Sequence, residues 1–114
     1  MTDINNVFMV GRLTKNAEFR QLGGGSQVAS LSVALNKSKK VNDQWEDEVS
    51  YIDVQAFGRL AENMQGRLYK GTQVTISGYL KQDRWQSSGE QRSRLLVVAN
   101  DIVPHEKKEQ VNGF

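Results

Sequence analysis

Hydrophobic and polar residues alternate along three stretches of the chain. In "QVASLSVALN", Ala29, Leu31, Val33 and Leu35 fall on one side, and Val28, Ser30, Ser32 and Ala34 on the other. In "VSYIDVQAF", Ile52, Val54 and Ala56 oppose Tyr51, Asp53, Gln55 and Phe57, and in "TQVTISGYLKQDRW", Val74, Ile76, Gly78 and Leu80 oppose Thr75, Ser77, Tyr79 and Lys81. A period of two is the signature of a strand with one face buried. "VFMVGRL" reads as a further strand, with Gly11 marking a bend or the close approach of another backbone. "RLLVVANDIV" is apolar enough to be covered on both faces. Between the third and fourth of these five strands, "GRLAENMQGRLYKG" places Leu60, Ala61, Met64 and Leu68 at helical spacing, with Lys70 and Gly71 as its predicted end. "LGGGS" is a hairpin turn leading into the second strand, whereas "KSKKVNDQWEDE", dense in charge and without periodicity, is expected to be a loop.

Strand, strand, strand, helix, strand, strand is the layout of an OB-fold, an all-β, five-stranded Greek-key barrel with one short helix between strands 3 and 4. Other small barrels and α+β folds share that order, so order alone leaves them open. The length of 114 residues suits one domain, expected over 1–104, followed by a short polar C-terminal tail over 105–114. With 38% hydrophobic and 25% charged residues the chain is globular, and no apolar run is long enough to cross a bilayer. No export or transit signal is visible and there is no cysteine, which together point to the cytoplasm.

The net charge of +2 is only mildly basic, but Asp43, Glu46, Asp47 and Glu48 crowd one segment and leave the remainder more positive. The aromatic residues that the alternation leaves outside the core are Trp45, Tyr51, Phe57, Tyr79 and Trp85. Lys37, Lys39, Lys40, Arg59, Lys81, Arg84, Arg92 and Arg94 are interleaved with them. Rings with cations between them suit an unpaired nucleic-acid strand, whose bases stack on aromatic faces for ~1–3 kcal/mol each while cations neutralise the phosphates. Neither contact depends on base identity. For Tyr51 and Tyr79, packing in the core or at a subunit interface is the competing role. Trp45 and Trp85 lie among charges, which argues against burial.

Other chemistries find little support. The glycines of "LGGGS" lack the following Lys-Ser/Thr and helix of a phosphate loop. The acidic segment lacks ligand spacing, so no metal or cofactor is expected. His105, the only histidine, has no neighbour in the sequence to orient it as a base, and Asp53 has no partner carboxylate, so hydrogen bonding or an ion pair is its expected role. The chain is not expected to be an enzyme.

"NNVFMVGRLTKNAEFR", "VSYIDVQAFGRLAENMQGRLYKGTQVTISGYLKQDRW" and "SGEQRSRLLVVANDI" together resemble the bacterial-type single-stranded DNA-binding protein family from about Asn6 to Ile102. The resemblance implies an OB-fold that assembles as a homo-oligomer, most often a tetramer, and coats unpaired DNA in replication, recombination and repair. It implies base stacking at Phe57, Trp85 and Tyr51, the last standing where many relatives have tryptophan. It also implies phosphate contacts at Arg20, Arg59, Lys70, Lys81 and Arg84. Lys39 departs from the pattern, standing about where some relatives carry another aromatic, and Trp45 in the same segment can compensate. Relatives continue into a flexible linker and an acidic tip that recruits other proteins, whereas "HEKKEQVNGF" has no acidic run, so such recruitment is not expected. An alternative of another class is an OB-fold adaptor in a replication-restart assembly, binding DNA weakly and using its rings as protein anchors.

Overall fold

The computed structural model describes residues 2–106. Its elements in chain order are β1 (Val7–Leu13), β2 (Glu18–Gln21), β3 (Gln27–Val41), β4 (Gln44–Phe57), α1 (Arg59–Met64), β5 (Gln73–Ser87) and β6 (Glu90–His105). The strands hydrogen-bond in the order β1-β5-β6-β4-β3, and β3 returns to β1 through Arg12↔Ala34 and Leu13↔Val33, closing a five-stranded barrel. All these pairings are antiparallel except β4 with β6, where Val54 lies beside Val97. The OB-fold reading therefore stands, with the helix between the third and fourth barrel strands.

The alternating positions fill the barrel. Ala29, Leu31, Val33, Val54, Ala56, Val74, Ile76, Val97, Ala99 and Ile102 are buried, capped from one end by Ala61, Met64 and Leu68. As the unbroken apolar run predicts, Leu96 and Val98 on the other face of β6 are also covered. Gly11 is required by proximity: a Cβ there would meet the Ala34 carbonyl oxygen at 2.6 Å. At Gly78, where a bulge shifts the β5–β6 register, a Cβ would collide with the Val98 carbonyl.

Four expectations need correction. The segment "KSKKVNDQWEDE" is not a loop: β3 and β4 remain paired from Val28↔Phe57 out to Val41↔Gln44, closing on Asn42 and Asp43 with φ of 50° and 64°. Positive φ at both turn residues marks a type I′ hairpin. Its arm is zipped by charge, with Lys39 Nζ 2.7 Å from Glu48 Oε2 and Ser38 Oγ donating to Asp47, so it carries no hydrophobic period. The helix stops at Met64, because Gln65 leaves helical geometry and Gly66 adopts φ 77°; Gly71 instead turns the chain back to β1, its N–H bonding to Leu13 O. Leu68 is nonetheless buried, as its spacing from Met64 predicts. The short strand β2, absent from the expected order, pairs with β3 through Arg20↔Val28 and places "LGGGS" at its hairpin turn. Finally His105 belongs to β6 and approaches Thr75 Oγ1 at 2.7 Å. The remainder of the expected tail, 107–114, lies outside the described residues. No described helix is long and apolar enough to cross a membrane.

Candidate nucleic-acid interface

The same alternation that fills the barrel dictates what its outside carries. On β4, the positions opposite Ile52, Val54 and Ala56 are Trp45, Asp47, Val49, Tyr51, Asp53, Gln55 and Phe57. On β5, those opposite Val74, Ile76 and Gly78 are Tyr79, Lys81, Asp83 and Trp85. Strand β6 runs between them and contributes Arg92 and Arg94 at the cross-strand positions of Trp85 and Asp83. All five sequence-predicted rings therefore project from the outer face of one sheet region. Trp45 and Tyr51 are 72% and 68% exposed, and Tyr79, the most covered of the five, is 37% exposed, so none is a core residue.

A charged network joins the strands. Arg94 Nη1 donates to Asp53 Oδ2 at 3.3 Å, its Nε lies 3.7 Å from Asp83 Oδ2, and its Cζ stands 5.9 Å from the centre of the Trp85 ring. Asp53, expected to make an ion pair, makes one. Beside this network a groove of ≈ 290 Å³ crosses toward β2, lined among others by Lys15, Arg20, Ser32, Asp53, Gln55 and Arg94.

The predicted cations divide by strand parity. Lys40 pairs with Trp45, Arg92 pairs with Trp85, and Lys81 follows Tyr79 on the same side of β5, so these three share the aromatic face. Arg20 faces the groove from β2, and Arg59 opens α1 two residues beyond Phe57. Three cations point elsewhere. Lys39 takes the opposite face of its hairpin, engaged with Glu48, and Arg84 takes the opposite face of the β5–β6 hairpin, donating to Gln82 Oε1 at 2.7 Å. Lys70 lies before β5, near Arg12 and His105, at the end of that strand remote from Trp85.

The central position of Arg94 and the groove-lining roles of Lys15, Ser32 and Gln55 do not emerge from sequence pattern. The available signal was the run of small polar residues, Ser30 and Ser32, opposite the core positions of the second predicted strand, which leaves room for a ligand. Among the described residues no three acidic or histidine side chains gather as a metal site.

A sequence model of the Single-strand binding protein family matches residues 4–104. The chain belongs to that family. A relative from Treponema pallidum, a single-stranded DNA-binding protein, is 38% identical over 90% of this chain and 58% of its own length. The wild-type single-stranded DNA binding protein from Thermus aquaticus superposes with TM-score 0.79 at 31% identity, over 90% of this chain and 50% of that one. The chain thus spans about half of either relative's length. A Plasmodium falciparum SSB complex with ssDNA superposes with TM-score 0.83 at 18% identity, over 93% of this chain and 98% of that one, a likeness of fold.

Proposed function

We propose that this chain binds single-stranded DNA across the outer face of β4, β6 and β5, coating unpaired strands in replication, recombination and repair. The observation that carries the reading is the placement of Trp45, Tyr51, Phe57, Tyr79 and Trp85 on one exposed sheet face with Lys40, Lys81 and Arg92 among them. Bases stack on the rings, and the cations, with Arg20 and Arg59 at the margins, take the phosphates. Lys39, Lys70 and Arg84 meet only a strand that wraps past the hairpins and the barrel end. The binding unit is the barrel from β1 to the end of β6 at His105, acting in the cytoplasm at the nucleoid, without cofactor.

A second copy is the proposed protein partner. Phe8 and Val10 are exposed on β1, Phe8 at 76%, on the same face as Val103 one strand further across β5, and β1 pairs with β3 only at Arg12 and Leu13. Its free edge over Val7–Val10 suits antiparallel addition of the same strand from another protomer, a step toward the homotetramer.

The test is titration with oligo-dT, followed by tryptophan fluorescence at increasing salt. Submicromolar binding at moderate salt, quenching, and affinity that falls as salt rises are expected. Preference for duplex DNA would overturn the reading, and binding too weak to measure at moderate salt would overturn it in favour of an adaptor role. Light-scattering mass of the wild type and of Phe8→Asp tests the assembly, the variant being expected to dissociate.

A further inference from the structure

A surface that takes a polyanion gains from cations and loses from carboxylates, yet Asp53 and Asp83 stand in the middle of this one. Both are directed at the same group. Asp53 approaches Arg94 from β4 at 3.3 Å and Asp83 approaches it from β5 at 3.7 Å, so one guanidinium faces two carboxylates and the cluster is net negative. That guanidinium also stands 5.9 Å from the Trp85 ring centre, over the π-face that a base requires. The groove that reaches Arg94 and Asp53 is bordered on its far side by Arg20 and by Lys15, the latter 3.6 Å from Glu18 in an exposed ion pair, so Arg20 is the cation that draws a phosphate toward the cluster.

We infer that Asp53 and Asp83 act as internal stand-ins for phosphate: they hold Arg94 over Trp85 in the free protein, and an incoming DNA phosphate displaces them. This rests on the single-strand reading above and deepens it by assigning Arg94 as a DNA-contacting residue and the two carboxylates as its competitors. The exchange is physically easy. The side chains of Arg94, Asp53 and Asp83 are 44%, 54% and 43% exposed, and ion pairs so solvated are weak. A phosphate offers the guanidinium the same paired oxygens in a charge-assisted contact. Moving Arg94 onto the backbone uncovers the Trp85 face for a base. Each freed carboxylate then attracts a solution cation, offsetting the counterion released from the phosphate. Arg94 thereby adds less to the salt dependence than an unpaired cation, and the carboxylates limit affinity at this one point of the face.

The deciding measurement is oligo-dT affinity across a salt series for the wild type, D53N/D83N, R94A and the triple variant, with circular dichroism to confirm folding. At moderate salt D53N/D83N is expected to bind about fivefold tighter, and its log–log salt slope to steepen by ~0.7, the share of one phosphate contact on a single strand. In the Arg94→Ala background most of that gain is expected to vanish, because the carboxylates then have no cation to withhold. Equal gains in both backgrounds would mean only long-range charge and would overturn the inference, as would the absence of any gain. If the wild type fails to bind oligo-dT, or Trp85→Ala binds as tightly as the wild type, the site reading fails and the inference falls with it. If both of those behave as expected while the gain is independent of Arg94, the inference alone fails.

Discussion

The β3–β4 hairpin and the β5–β6 hairpin both leave the barrel as two-stranded ribbons, and both close on two residues of positive φ: Asn42 and Asp43 in one, Ser88 and Gly89 in the other. Each carries a tryptophan paired across the ribbon with a cation, Trp45 with Lys40 and Trp85 with Arg92. They differ in what ties them down. Beyond Leu35 the side-chain bonds of the first hairpin run between its own strands, Lys39 to Glu48 and Ser38 to Asp47. The second is tethered to β4 through Arg94 and Asp53, and its Trp85 is 42% exposed against 72% for Trp45. A ring set close over the sheet by its own strand pairing gives up less freedom on binding than a ring far out on an arm, and it keeps that advantage when Arg94 leaves Asp53 for a phosphate. The pair of hairpins thus teaches that equal chemistry at two places on one face does not mean equal contribution.

The sharpest contrast is between either hairpin and the barrel. Ile76→Ala, which empties a fully buried position, is expected to cost ~2–5 kcal/mol in urea unfolding. Lys39→Ala, which removes an exposed cross-strand ion pair, is expected to cost at most about 1 kcal/mol. A hairpin lesion as damaging as the core lesion would make the arms part of the folding unit. Next in size is Trp85→Ala, expected to lose ~1–3 kcal/mol of oligo-dT binding, with Trp45→Ala losing less than half as much. Equal losses would break the distinction between tethered and free arms. Untethering sharpens it: Asp53→Asn is expected to speed amide hydrogen exchange around Trp85 severalfold and leave the amides near Trp45 unchanged. The smallest effect concerns the free arm's turn. Asp43→Gly relieves a left-handed residue in a turn that favours Asn-Gly, and is expected to raise stability by up to about 1 kcal/mol, read as a small shift of the urea midpoint.

The barrel was largely legible because burial writes a period of two into a strand. Ala29, Leu31, Val33, Val54, Ala56, Val74 and Ile76 all reach the core as their alternation predicts. The rings followed as the complement of that set. The outer halves of β3 and β4 were not legible: they are held by opposed charges and a type I′ turn, and opposed charges on a ribbon look like a solvated loop until the register is known. The helix was drawn too long for the opposite reason, since Leu68 returns to the core after Gly66 has already ended the helical path.

The sequence by itself determined the core-facing positions of the barrel strands, the rings opposite them and the family resemblance, because each is carried by neighbours along the chain or by an ordered series of motifs. Only the tertiary structure decided which cations of a neighbouring strand share a face with the rings, keeping Lys40 and Arg92 and turning Lys39 away, whereas alternation within β5 already sets Arg84 against Trp85. The tertiary structure alone brought Arg94 to Asp53, 41 positions apart in the chain. That contact depends on the parallel pairing of β4 with β6, and local alternation carries no information about which distant strand lies alongside.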